Sequence, residues 1–308
     1  MYKIYSDYHA LCEMQTANGS LGNKILHTLF IIHFSENKKR LPVFYKNSNI
    51  NEIFDFKNKF IEKNPKIKIT YFFEEKEPYW YQNSLLHFLK RSNRFQNKNL
   101  LSVIENSRKF NLESCDLLYS RALPSKDIMI KGWFFDYNLM PPFESIQRYF
   151  KVKEELKEKI LTKFPKILEH KSVAVHFRGT DFHNHLRWLF PRGIVLSHKY
   201  YQRSIHKIKE LIGENPIFYL FSDEPDTLRS FFTSEEYFIH QGSAYEAWVG
   251  LSMCKNIIQS NSSFCWTASL YNKKISIQPK GGYNIYQSNL GCLPFDFYHP
   301  SSIIIESD

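Results

Sequence analysis

The sequence predicts an α/β protein with a parallel β-sheet. Three observations carry that prediction. In the second half of the 308-residue chain, short apolar runs alternate with segments of helical periodicity, the pattern of β-α-β units. The runs at 173–177 and 217–221 are apolar on both faces, as strands buried on both sides must be. Three of the runs end in polar residues, and in a parallel sheet such ends lie along one edge, where open α/β folds hold ligands.

Taken in order, residues 2–6 read as a short opening strand. A glycine-bearing turn over 17–24 follows. It opens a helix with Ile25, Leu26, Leu29, Phe30 and Ile32 at helical spacing. Such a turn lets backbone approach a ligand closely, and a helix N-terminus favours an anion. Residues 41–45 are the next strand, 46–68 a Lys- and Asn-rich helix and loop, and 67–73 a further strand. Residues 79–126, with short apolar runs broken by Asn, Arg and Ser, read as irregular helices and loops. A strand at 128–130 exits through Gly132. A charged amphipathic helix over 151–168 puts Val152, Leu156, Ile160 and Leu161 on one side, and 166–171 is the predicted domain boundary.

Beyond the strand at 173–177 lies a polar loop over 182–195. Ser197 is placed to cap a helix with Ile205, Ile208 and Ile212 on one stripe, ended by Gly213. The strand at 217–221 follows, then a helix over 243–254, a strand at 256–258, a helix over 266–271 and a last strand at 275–279. There is no internal repeat and no low-complexity tract.

Composition narrows the class. Hydrophobic residues make up 43% and charged residues 23%, values of a soluble globular chain. The formal net charge is +10. Residues 1–150 hold 22 Lys+Arg against 15 Asp+Glu, a local +7, so the excess sits mainly in the first half and favours anionic partners. No nucleic-acid-binding module is present, so charge alone does not make nucleic acid a partner. Five cysteines without a CxxC pair point to reduced thiols in a cytoplasm, and no signal peptide is read at the N-terminus. No run reaches the ~20 apolar residues of a membrane span.

The chemistry gathers at the strand ends. They carry His176, Arg178 and Asp181; Ser222 and Asp223; and Asn261, Ser262 and Ser263. A guanidinium on a strand end suits an anionic ligand, because its planar fork can grip two phosphate oxygens. Ser262 and Ser263 sit at a strand-to-helix turn, where hydroxyls and backbone N–H groups can cradle a pyrophosphate. The ten aspartates never fall two apart, so there is no Asp-x-Asp pair to hold a bridging divalent metal. His183, His185 and His198 are not at metal-ligand spacing and read as loop residues. No metal and no cofactor are therefore expected.

These residues resemble the bacterial α-1,2-fucosyltransferases of glycosyltransferase family 11. Gly19-Ser20-Leu21-Gly22-Asn23-Lys24 stands where that family has GGLGNQ. His176-Phe177-Arg178-Gly179-Thr180-Asp181 matches its HxRRGD strand end, and Phe221-Ser222-Asp223-Glu224 its FSDD. The segment from Cys254 to Trp266, CKNIIQSNSSFCW, is similar to CKHNIIANSSFSWW and is the most specific of the four. The motifs appear in family order and span nearly the whole chain.

The resemblance implies a GT-B architecture of two Rossmann-like domains, an N-terminal acceptor-side domain over 1–168 and a GDP-sugar-binding domain over 169–308. It implies GDP-β-L-fucose as donor, inversion at the anomeric carbon and no metal. Arg178 would hold the pyrophosphate and His176 would lie near the guanine. Ser262, Ser263 and Phe264 would line the nucleotide. Gly22 and Asn23 would approach the donor from the other domain, and Glu246 is the acid placed to read guanine. Asp181 is the motif acid and a candidate base, beside a dissociative mechanism in which the β-phosphate takes the proton. The implied acceptor is a lipid-linked surface glycan, with the protein cytoplasmic and its basic half toward the inner leaflet. The sequence departs from the family at Gly179, which replaces the second motif Arg, at Lys24 and at Ala247. Two alternatives follow: transfer of another GDP-deoxysugar such as colitose, or a GDP-sugar- or glycan-binding protein without transfer.

Overall fold

In the computed structural model of the chain, the described residues are 3–6, 21–39, 41–43, 52–55, 100–105, 127–131, 140–180, 182–183, 194–213, 215–232, 236–271, 274–280, 298 and 301–307. They contain two parallel sheets. The first takes β1 (Lys3–Ser6), β2 (Leu41–Val43), β3 (Leu100–Glu105) and β4 (Asp127–Lys131) in the order β2-β1-β4-β3. Its register pairs Ile4 with Pro42 on one side and with Ile128 on the other. Strand β3 lies within the stretch expected to be irregular, since six consecutive residues, LLSVIE, suffice for a strand between polar flanks. The expected strand at 67–73 lies outside the described residues.

The second sheet holds six strands in the order β10-β9-β8-β5-β6-β7, all parallel: β5 (Ser172–Phe177), β6 (Ile217–Ser222), β7 (Tyr237–Ile239), β8 (Asn256–Ile258), β9 (Ile275–Lys280) and β10 (Ile303–Glu306). From β5 the chain runs outward through β6 to β7, then returns to the other side of β5 and runs outward again through β8, β9 and β10. The switch in direction falls between β5 and β8, and the crevice outside the C-terminal ends of such a pair is where open α/β sheets bind ligands. Two of these strands were not foreseen: β7, a three-residue edge strand too short to show periodicity, and β10, beyond the strand expected to be last.

Helices cover both faces. Val173, Val175 and Phe177 alternate along β5 toward one face, where they pack with Phe218, Leu220, Ile258 and Ile277. That face is closed by Tyr200, Tyr201, Ile205 and Ile208 of α4 (His198–Ile212) and by Leu228 of α5 (Pro225–Arg229). As expected, Ser197 caps α4, its Oγ accepting from Tyr200 N–H at 3.3 Å. Gly213 ends it at φ +70°, a conformation that only glycine adopts without strain.

The other face of the sheet, with Ala174, Tyr219, Phe221 and Ile257, packs under α6 (Ala244–Met253) and α7 (Ser263–Ser269) in one core with α1 (Leu21–Asn37), α2 (Phe143–Tyr149) and α3 (Glu154–Lys163). Helix α3 is shorter than the periodicity predicts. Pro165 disfavours helical backbone at Phe164, which ends it at φ −133°. Helix α7 starts earlier than expected because Ser262 caps it, accepting from Phe264 N–H at 3.3 Å. Trp248 Nε1 of α6 donates to Thr267 Oγ1 of α7 at 3.0 Å, locking the pair.

Helix α1 is buried almost all round, from Leu21 to Phe34. It packs against β1 and β2 on one side and against α7 on the other, and so links the two sheets. A helix buried on nearly every face is an internal element, and this one carries Lys24, His27, Thr28 and Ser35 into the interior with it.

Candidate functional site

At the switch between β5 and β8, two strand ends are joined side chain to side chain. His176 Nδ1 shares a 2.7 Å hydrogen bond with Ser260 Oγ, just past β8. Cys265, one turn into α7, donates its Sγ–H toward the Ser260 and Ser262 carbonyls at 3.4 and 3.2 Å. Two adjacent tyrosines of α4 hold the same ends from behind. Tyr201 O–H donates to the His176 carbonyl at 3.0 Å, and Tyr200 O–H donates to the Gln259 carbonyl at 2.6 Å. Burial pushes both phenols well up, so they stay protonated and remain donors.

His176 is 5% exposed. Burial pulls its imidazole down to about 3, the Arg178 cation adds to that shift, and Asp223 opposes it. The ring is therefore neutral at physiological pH, a hydrogen-bonding group rather than a charge. Its ring centroid lies 5.4 Å from that of Phe264, with the two planes tilted by 32°.

The next group is built around Asp223, at the end of β6. One carboxylate oxygen accepts from Gly179 N–H at 2.9 Å. The other accepts from Thr180 Oγ1 and lies 3.3 Å from Arg178 Nη1. The turn that carries Arg178 is thus tied to the neighbouring strand at three points. The guanidinium also lies over the Phe182 ring, 5.8 Å from its centroid. Ser222 Oγ accepts from Glu224 N–H at 2.8 Å, shaping the turn into α5.

From the opposite side comes the first turn of α1. A Cβ on Gly22 would stand 2.3 Å from Phe264 N and 2.5 Å from Phe264 Cα and Ser263 C. The two helix starts therefore meet backbone to backbone, which only glycine allows. Asn23, the next residue of α1, is half-buried. Asn261 is anchored by its Nδ2–H, which donates to the Ile194 carbonyl at 2.8 Å.

Most of the residues chosen from sequence thus lie at adjoining strand ends and helix starts: Gly22, His176, Arg178, Ser222, Asp223, Asn261, Ser262, Ser263 and Phe264, with Asn23 beside Gly22 on α1. Glu246 lies past the end of β7, the strand next to β6 on the same edge of the sheet. Its carboxylate lies over Gly242, where an added Cβ would be 2.3 Å from Oε2, and it stands with His240 past the end of β7. Asp181 and the turn residues 17–20 lie outside the described residues. Sequence reasoning missed Ser260, Tyr200, Tyr201 and Cys265. The tandem Tyr200-Tyr201 just after a helix cap was the available signal, because two consecutive helix residues can reach two adjacent strands.

Chemically, the crevice offers one guanidinium, a neutral imidazole and a row of hydroxyls, a set suited to a polyanion carrying a flat ring. Among the described residues, no three His, Cys, Asp or Glu side chains stand close enough to hold a metal ion. No helix among them is long and apolar enough to cross a membrane.

Solved structures of similar fold include fucosyltransferases. NodZ alpha-1,6-fucosyltransferase soaked with GDP-fucose aligns over 88% of this chain and 92% of its own, at 12% identity and a TM-score of 0.52. POFUT1 in complex with GDP-fucose aligns over 90% and 97%, at 12% identity and a TM-score of 0.51. A substituted form of Arabidopsis thaliana FUT1 in complex with GDP aligns over 89% and 69%, at 13% identity and a TM-score of 0.50. No curated protein matches at the sequence level. Residues 119–288 match the sequence profile of Glycosyl transferase family 11, a stretch that contains the β5, β6 and β8 strand ends just described. With more than half of its length so matched, the chain belongs to glycosyl transferase family 11.

Proposed function

We propose that this chain transfers L-fucose from GDP-β-L-fucose to a glycan hydroxyl, with inversion and without a metal, as an α-1,2 transfer to galactose in surface polysaccharide synthesis. The observation that carries the reading is Arg178, held by Asp223 at the end of β5 and close enough to the neutral His176 imidazole to act on it. GDP presents a diphosphate and a flat base. Arg178 meets the diphosphate, and His176 with Phe264 lies toward the base. Residues 1–168 form the acceptor side and 169–308 the donor side of a GT-B arrangement, with α1 bringing Gly22 and Asn23 across.

In the reaction, the bond from the anomeric carbon to the β-phosphate oxygen breaks and a bond from that carbon to the acceptor oxygen forms. Charge that accumulates on the departing diphosphate is offset by Arg178, which does more for the transition state than for the ground state. The acceptor proton passes to the Asp181 carboxylate or to the β-phosphate. The acceptor is a lipid-linked glycan, and the basic first half lies toward the inner leaflet of the membrane in a cytoplasmic protein. A second reading, transfer of another GDP-deoxysugar such as colitose or GDP-sugar binding without transfer, rests on Gly179, which supplies no second cation.

The test is GDP release by purified protein in EDTA from GDP-fucose, GDP-mannose and UDP-galactose separately. Release from GDP-fucose alone is expected. Arg178→Ala loses most of the release and weakens GDP binding by about tenfold or more. An equal loss in Lys199→Ala, an exposed site on α4, would show that general charge carries the effect. Release from none, with GDP still bound, would favour the second reading.

A further inference from the structure

Two positions at which the sequence departs from the quoted motifs, Gly179 and Glu224, meet in space. A Cβ on Gly179 would stand 2.4 Å from the Glu224 carboxyl carbon and 2.5 and 2.6 Å from its two oxygens. The Glu224 carboxylate thus occupies the room that any side chain at 179 would use. It is held there on both sides. His183 Nε2 lies 3.2 Å from Oε1, and Thr227 Oγ1 donates to Oε2 at 3.2 Å. Thr227 belongs to α5, and His183 lies on the far side of the Arg178 turn. Asp223 grips the same turn through Gly179 N–H and Thr180 Oγ1.

We infer that Glu224 is a positioning residue for Arg178, a strut that, with Asp223, clamps the 178–180 turn, and that Gly179 is the space this strut requires. As a claim about donor binding, it rests on the function proposed above. The physical reason is shape. Consecutive carboxylates at the end of one strand grip one turn of the next, Asp223 by hydrogen bonds to it and Glu224 by lying against its Cα and bridging to His183. A methyl group at 179 leaves the backbone intact but pushes the flexible Glu224 carboxylate off His183 and Thr227. The lesion is therefore local, and the two positions act as one unit rather than as two independent sites.

The experiment is a double-mutant cycle on the full chain with Gly179→Ala, Glu224→Ala and their combination, plus Glu224→Gln as the shape-conserving variant. Two quantities are read: amide exchange of peptides covering residues 176–183 without nucleotide, and GDP affinity. Each alanine variant is expected to exchange faster in that segment and to bind GDP about tenfold more weakly. The combination is expected to be no worse than Glu224→Ala alone, because without the strut the methyl group displaces nothing. Glu224→Gln keeps the hydrogen-bonding shape and is expected to hold both quantities near those of the original chain. Additive losses, unchanged exchange in either single alanine variant, or a Glu224→Gln loss equal to that of Glu224→Ala would overturn the inference. Coupled exchange in a chain that does not bind GDP would sink the donor reading and leave the strut standing, so the two failures are distinguishable.

Discussion

The contact between the starts of α1 and α7 yields the sharpest stability prediction. Gly22→Ala adds one methyl group where the nearest atoms are Phe264 N at 2.3 Å and Phe264 Cα and Ser263 C at 2.5 Å, all of them backbone. No side chain can rotate away. Ordinary contact begins at 3.4 Å, so α1 would have to retreat by about 1 Å. It is buried almost all round, and a retreat opens gaps along Ile25, Leu29 and Phe30. Overpacking of this kind costs about 1–3 kcal/mol. Alanine's better helix propensity offsets at most ~1 kcal/mol of that, less in a first turn. The expected net is a destabilisation of about 1–2 kcal/mol, read as a lower urea midpoint at unchanged slope. The sign decides the matter. A surface-like glycine in a helix would make Gly22→Ala neutral or stabilising, and that result would refute the close approach of the two helix starts.

Two further outcomes follow from burial. His176 is pulled to about 3 in the native chain, against ~6.5 when unfolded. Between those values the unfolded chain binds a proton that the native one does not, so stability is fully present above pH 6.5 and is lost as the pH falls toward 3. The slope is up to ~1.4 kcal/mol per pH unit. Urea stability from pH 7.5 to 5 should therefore fall more steeply for the original chain than for His176→Gln. Any contribution from the lowered His33 and His240 is common to both chains. Parallel curves would mean that His176 is solvated. Cys254 and Cys265 are buried thiols; burial pushes Cys265 up to about 11 and Cys254 higher still. Iodoacetamide at pH 8 should leave both unmodified in the native protein and label both after denaturation, and native labelling of either, seen by peptide mass, would contradict the packing of α6 and α7.

Much of this site was legible before any coordinates, for a local reason. A strand buried on both faces must be apolar throughout, so polar residues at its end stand out, and parallel pairing then puts all such ends on one edge. The β5, β6 and β8 ends could be read this way, as could the Ser197 cap, because a cap is set by a few neighbouring residues. The alternation of strands and helices likewise determined the fold class, and the late segment around Asn256 and Ser262 determined the family.

Tertiary structure alone decided the rest, because it depends on which residues meet across long separations. The strand order β10-β9-β8-β5-β6-β7 places the switch between β5 and β8, and no local pattern encodes that neighbourhood. The His176–Ser260 bond spans 84 residues, and its tandem-tyrosine supports reach back from α4. Glu246 stands with His240 past the β7 end, because α6 begins one loop beyond that edge strand, and its sequence position alone does not reveal that neighbour. Gly179 reads as a lost cation until Glu224 is seen filling its place. Short-range patterning chose the elements and the kinds of side chain at their ends; packing of one element against another chose which of those side chains share a crevice.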